Sequence, residues 1–217
     1  MMSQRSTEPP PAPAVAAPRP APANAIGEDR ILDSAYELLL AIGLGRMTMA
    51  DIGRRAEVSR ATLYRRWPNV RAVIAALVTR EWAAIVSDAA FSAPEGTART
   101  RLVEGVVNVV SRSREHPLLR AIVNLDPEFL LPYLLQRRGS STEAQLALVE
   151  AAVREGHADG SIRAGDPRWQ ARALLLTALS FTLTGPIMAG PDDYERLDQE
   201  LRVLLGRYVA PTPGQSP

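Results

Sequence analysis

TMADIGRRAEVSRATLYRRWPNVR, residues 48–71, decides the fold class of this chain. Thr48 is the predicted N-cap of a first helix over 49–56, and Asp51, three residues later, can complete a capping box. Ser59 is the predicted N-cap of a second helix. Four apolar residues recur at the spacing that lets two short helices cross and share a small core: Ile52, Ala56, Val58 and Leu63. The stretch therefore predicts two helices joined by a tight turn.

Positive charge is concentrated in the same stretch. Six arginines and one acid, Glu57, lie between Arg54 and Arg71, whereas the whole chain has a formal net charge of +1. Such a cluster suits DNA, because neutralising phosphates supplies most non-specific affinity. The alternative is a generic helical hairpin whose arginines form a solvated face. Tyr64 and the pair Trp67-Pro68 argue against it, since aromatics closing a short helix before a proline are an unusual combination. Trp67 itself is expected in the core.

The second helix carries the groups that a major-groove reader needs. These are guanidinium forks for guanine edges, a methyl surface for thymine and hydroxyls for phosphates. We expect Arg60 and Thr62 to contact bases. The other predicted contacts, to phosphates or nearby edges, are Thr48, Ala61, Tyr64, Arg65 and Arg66.

Residues 31–82 resemble the DNA-binding domain of the TetR (tetracycline repressor) family, most specifically in EVSRATLYRRWPN, residues 57–69. The resemblance implies a compact three-helix head, in which a helix predicted over 28–41 braces the two helices that read DNA. It also implies a helical body that binds an effector, and a homodimer in which the last two helices of each subunit form a four-helix interface. The function it implies is a ligand-responsive transcriptional regulator, most often a repressor, acting on a pseudo-palindromic operator.

Two residues depart from the family's usual pattern. Glu57 stands where the turn between the two helices usually has Gly, and a left-handed conformation at a non-Gly residue costs about 1 kcal/mol. Val70 stands where members often have a phosphate-contacting Lys. This departure shifts the predicted backbone anchoring onto Arg71 and onto the N–H groups of a helix capped by Asn69.

Composition excludes several other kinds of site. The chain has 46% hydrophobic and 23% charged residues, enough for a sizeable core, and no Cys, so it has neither disulfides nor cysteine-ligated metals. Two distant histidines, His116 and His157, leave little material for a zinc site or a histidine-dependent catalytic group. Asp192 and Asp193 form an acid pair that could serve as a catalytic group in an all-helical enzyme. We expect this pair to lie in a surface turn instead. We therefore predict no catalytic residues, no metal and no cofactor.

The rest of the chain is predicted to be all-α, with the three-helix head followed by a larger C-terminal effector-binding and dimerisation domain. The predicted boundaries are a disordered Pro/Ala tail over 1–27, the head over 28–82, the body over 83–210 and a second disordered tail over 211–217. Further helices are expected over 69–87, 98–115, 117–125, 127–136, 141–157, 167–184 and 192–209. With no secretory signal and no convincing membrane span, a cytoplasmic location is expected.

The body offers weaker evidence for its sites. Its helices are dominated by Leu, Val and Ala, which favours a small apolar effector held by a few polar groups. The candidates are Asn108, His116, Asn124, Tyr133, Thr177 and Ser180, although each can instead be a core residue or a helix-end feature. The candidate dimer residues, from the last two helices, are Leu175, Leu179, Leu197, Leu201 and Leu205, although these can instead pack on their own subunit.

A rival function is a sequence-tolerant architectural DNA-binding protein without an effector. The expected partners are double-stranded DNA, a second subunit and the effector, with no membrane.

Overall fold

The computed structural model describes residues 23–91, 95–131 and 140–211. Within these ranges the chain is helical and has no strands. The helices are α1 (Ala23–Ile42), α2 (Met49–Ala56), α3 (Arg60–Arg66), α4 (Val70–Phe91), α5 (Ala98–Glu115), α6 (Pro117–Leu125), α7 (Ser140–Ala158), α8 (Pro167–Leu183), α9 (Gly185–Met188) and α10 (Tyr194–Val209). Single 3₁₀ turns span Leu44–Arg46, Pro127–Phe129 and Pro191–Asp193. The prediction of an all-α fold is confirmed.

Most helix boundaries agree with the sequence prediction, and the differences lie where a helix begins or ends. α1 begins at Ala23, one residue after Pro22, so residues 23–27 are helical and do not belong to the predicted tail. A 3₁₀ turn replaces the start of the helix predicted over 127–136, and residues 132–139 lie outside the described ranges. Residues 1–22 and 212–217 of the two predicted tails also lie outside them.

The core of the head is built from five helices. Ile31 and Leu39 of α1, Ile52 of α2 and Leu63 of α3 are fully buried together with residues of α4. Helix α6 completes this cluster, because Leu118 and Ile122 are buried in it. The predicted domain boundary at residue 82 therefore does not separate the head core from the rest of the chain. Helix α6 follows that boundary and still contributes side chains to the head core.

The core of the body lies among α5, α7, α8 and α10. Leu201 and Leu205 of α10 are 0% and 1% exposed within a single chain, where they pack against this core. Because side chains enclosed by their own subunit offer no surface to a partner, this burial argues against the predicted dimer role of Leu201 and Leu205. None of the described helices is long and apolar enough to cross a membrane.

Candidate nucleic-acid interface

The start of α2 is held by the predicted capping box. The Thr48 hydroxyl oxygen accepts a hydrogen bond from the backbone N–H of Asp51 at 3.1 Å, and the Asp51 carboxylate accepts one from the backbone N–H of Thr48 at 3.1 Å. The Thr48 hydroxyl also donates to the Asp51 carboxylate at 2.6 Å. This hydroxyl hydrogen bond is the main reason that the pKa of Asp51 is lowered from its ordinary value. Thr48 is exposed, but its hydroxyl is engaged in fixing the first turn of the helix.

The turn between α2 and α3 has the predicted left-handed residue. Glu57 has φ 54° and ψ 40°, and its carboxylate pairs with Arg30 of α1. The ion pair fixes the side chain of the strained residue to the neighbouring helix. Gly53 of α2 faces this turn, and a Cβ there would lie 3.0 Å from Leu63 and 3.2 Å from the Val58 carbonyl oxygen. Sequence reasoning missed this requirement for Gly, although it sets how closely the two helices approach.

Three of the six arginines are held by carboxylates of the head. Arg55 donates to Glu37 of α1 at 2.6 Å, and Arg54 pairs with Asp51 of its own helix. Arg66 lies 3.0 Å from Glu28 of α1 with its guanidinium carbon 5.9 Å from the Trp67 ring centre, and its side chain is 23% exposed. Arg66 therefore packs against α1, which leaves its guanidinium less available for the predicted phosphate contact than those of the exposed arginines. Trp67 is buried, as predicted.

The other three arginines remain on the outside of the head. Arg60 and Arg65 of α3 and Arg71 of α4 are exposed, and no carboxylate of the described residues pairs with them. Ala61 and the half-exposed Tyr64 (52%) share the outer face of α3 with them. Residues spaced by one, four and five positions lie on one side of a helix, so this face presents guanidinium, methyl and phenol groups together. We call Arg60, Ala61, Tyr64 and Arg65 the reading face.

The N-termini of α3 and α4 are also capped as predicted. The Ser59 hydroxyl oxygen accepts from the backbone N–H of Thr62 at 3.1 Å and lies 2.9 Å from the Thr62 hydroxyl. Thr62 is partly buried with its hydroxyl in this cap, which makes it a less available base contact than Arg60. The Asn69 side-chain oxygen accepts from the backbone N–H of Ala72 at 2.9 Å, which confirms the predicted cap of α4.

The predicted pocket residues are not brought together. Asn108 lines an open cleft of about 430 Å³ between α5 and α10, with Ser111, Asp198 and Arg202 among its neighbours. The Thr177 hydroxyl donates to the carbonyl oxygen of Ala173 at 2.9 Å. Three more have separate surroundings: exposed Asn124 on α6, exposed Ser180 beside Thr184, and His116 beside Glu81 of α4. Tyr133 lies outside the described residues. The residues that can be placed therefore do not line one pocket in this chain: Thr177 and Ser180 bond locally on α8, Asn124 is exposed and His116 faces α4.

The junction of head and body contains a partly buried tyrosine that the sequence did not single out. The ring of Tyr36 meets the ring of His116 edge-on, with centroids 6.4 Å apart. Burial and the negative charge of Glu81 raise the pKa of Tyr36. Among the described residues, no group of three or more His, Cys, Asp or Glu side chains is arranged to hold a metal ion.

Comparison with known proteins gives the same picture as the geometry. The profile described as "Bacterial regulatory proteins, tetR family" matches residues 31–77. An uncharacterised HTH-type transcriptional regulator of Mycobacterium bovis is 33% identical over 180 residues, which cover 83% of this chain and 93% of the relative.

Solved structures with the same fold include two bound to small molecules. The transcriptional regulator FadR of Bacillus subtilis in complex with stearoyl-CoA is 17% identical, with a TM-score of 0.61, over 83% of this chain and 98% of that one. The SmeT complex with triclosan is 22% identical, with a TM-score of 0.57, over 87% and 93% of the two chains. Together with the reading face and the mycobacterial relative, these likenesses lead to one conclusion: the chain belongs to the tetR family and is a DNA-binding transcriptional regulator, not an enzyme.

Proposed function

We propose that this regulator is a homodimeric repressor that places the α3 helix of each subunit into successive major grooves of a pseudo-palindromic operator. The observation that carries the proposal is the reading face, where two arginines without carboxylate partners among the described residues flank a small methyl surface. One head covers too few base pairs for useful specificity, so two heads one helical turn apart are needed. An operator on the chromosome implies that the protein is located in the cytoplasm.

In this proposal, residues 28–82 contact DNA and residues 83–210 hold the effector and the dimer interface. Arg71 adds a phosphate contact at the start of α4, where the backbone N–H groups also face outward. Arg60 contacts a base, and Arg65 and Tyr64 contact phosphates or neighbouring base edges. Thr48 and Thr62 act mainly by fixing the ends of α2 and α3.

The dimer interface is proposed on the exposed apolar side of α8, α9 and α10. Leu176 and Leu179 are 68% and 43% exposed and lie one turn apart on α8. The other exposed large apolar residues of α8, α9 and α10 are Trp169, Ile187, Met188 and Leu204. An apolar surface of this kind on a soluble subunit is explained if a second copy covers it. Leu175 and Leu197, which are partly buried in their own subunit, contribute at most at its edge.

A small apolar effector is proposed to release the operator. The support is the apolar composition of the body helices and the fold shared with FadR bound to stearoyl-CoA and SmeT bound to triclosan. We expect stearoyl-CoA to raise the dissociation constant for operator DNA by about 5-fold or more, measured by fluorescence anisotropy. Acetyl-CoA is the matched control, since it has the same nucleotide portion without the long chain. Equal effects of the two would contradict an apolar effector.

The DNA proposal is tested with a duplex that the wild-type protein selects from a random-sequence library. We expect binding at least about a thousandfold tighter than to a scrambled duplex. Arg60→Ala should cost roughly 1 to 3 kcal/mol and relax the preference at one base position of each half-site. Arg66→Ala is the matched control, and it should leave every base preference unchanged because Arg66 faces Glu28.

Two results would decide against this assignment. If Arg60→Ala keeps both the affinity and the base preferences of the wild type, Arg60 does not read a base. If selection yields no preferred sequence and binding to all duplexes falls equally with salt, the architectural alternative is correct.

A further inference from the structure

The carboxylate of Asp126, at the end of α6, binds the turn between α1 and α2. Its Oδ2 accepts a hydrogen bond from the backbone N–H of Leu44 at 2.8 Å, and its Oδ1 accepts one from the backbone N–H of Gly45 at 3.1 Å. Two successive N–H groups thus converge on one anion. Hydrogen bonds with a charged acceptor are about twice as strong as neutral ones, so this is a specific contact between the end of α6 and the turn after α1.

The turn held by Asp126 leads directly into the helix-turn-helix. It follows Gly43, which has φ 75° and lets the chain reverse after α1. It ends two residues before Thr48, the N-cap of α2. The first N–H groups of a short 3₁₀ turn have no partner within the turn, so an outside acceptor fixes the turn's position. The Asp126 carboxylate supplies that acceptor.

The helix that ends at Asp126 is anchored in the head core. Leu118 and Ile122 of α6 are buried in the head. Just before α6, the fully buried Arg114 at the end of α5 forms an ion pair with Asp198 of α10 and lies over the Tyr194 ring at 4.6 Å. Arg114 thus ties α5 to α10 directly before α6 begins, and Asp126 ties the end of α6 to the turn that precedes α2. This contact joins α6 to the turn directly, without passing through α4.

We propose that Asp126 is a positioning residue for DNA binding, whose carboxylate sets where α2 begins relative to α6. It touches no DNA, and it acts by holding the backbone of Leu44 and Gly45. The proposal goes beyond the dimer and effector assignments and depends on neither of them.

The test compares Asp126→Ala and Asp126→Asn with Glu128→Ala, an exposed acid two residues later. Amide hydrogen exchange of full-length protein should become about tenfold faster at Leu44 and Gly45 in Asp126→Ala, and remain unchanged in the body core. Affinity for the selected duplex should fall about 5- to 20-fold. The dependence of affinity on salt should keep its slope, since no phosphate contact is lost. Asp126→Asn retains one acceptor oxygen and should fall between wild type and Asp126→Ala. Glu128→Ala should stay within about twofold of the wild type.

Two results would overturn the proposal. One is an Asp126→Ala protein that binds the duplex within about twofold of the wild type. The other is loss of affinity accompanied by equally faster exchange throughout the body, because that result assigns Asp126 to general stability instead of positioning.

Discussion

Replacing both Leu176 and Leu179 with Asp is expected to give monomers that bind the selected duplex at least about 100-fold more weakly. The two side chains lie on the exposed apolar side of α8, and charges there leave a buried carboxylate pair in any dimer that uses this surface. Loss of the second head removes the gain from simultaneous binding of two half-sites, which is worth about 100-fold or more. Analytical ultracentrifugation measures the subunit association, and anisotropy measures the DNA affinity.

Leu40→Asp is the matched control for this experiment. Leu40 of α1 is 43% exposed, as is Leu179, but lies on the head, away from α8. This variant should stay dimeric. Dimers that persist in the Leu176→Asp, Leu179→Asp protein would place the interface on another surface of the body.

Leu201→Ala is expected to lower the free energy of unfolding by about 2 to 5 kcal/mol. Leu201 is fully buried in the core of its own subunit, so removing three carbons leaves a cavity as well as losing transfer free energy. Urea unfolding at one fixed protein concentration measures the change, since dimer stability depends on concentration. Leu148→Ala on α7, where the side chain is 52% exposed, is the control and should change the free energy by less than about 1 kcal/mol.

The Leu201→Ala variant also distinguishes two possible roles of the leucines of α10, which are packing in the subunit core and forming the dimer interface. If Leu201→Ala dissociated the dimer while each subunit kept its stability, the interface first inferred for Leu201 and Leu205 would be correct after all. The burial of both residues within one chain predicts the opposite result.

The helix-turn-helix could be predicted in detail because its determinants are local. Thr48, Asp51, Ser59 and Asn69 each make their capping bonds within three residues along the chain. The left-handed backbone at Glu57 was implied by the family resemblance, since members usually have Gly at this position of the turn. Because these capping partners are close together along the chain, the sequence alone can predict them. The positions and ends of α2 and α3 were therefore predicted correctly.

The body could be predicted only as a set of helices. Stripes of leucine on α8 and α10 have the same period whether they pack on their own subunit or on a partner. Polar residues within apolar stripes look alike whether they line a cavity or bond to a carbonyl one turn earlier, as Thr177 does. The predicted pocket and dimer residues therefore mixed buried, locally bonded and exposed side chains.

The sequence by itself determined the all-α class, the two short helices with their caps, and the concentration of positive charge on them. Only the tertiary structure decided which of these arginines have a carboxylate partner, because Glu28 and Glu37 of α1 hold Arg66 and Arg55 from distant positions in the chain. It also decided that Leu201 and Leu205 belong to the subunit core and that α6 completes the head and holds its first turn through Asp126. The physical reason is the same in each case: a side chain's partners across the fold, and not its neighbours in sequence, determine whether it is free to bind something else.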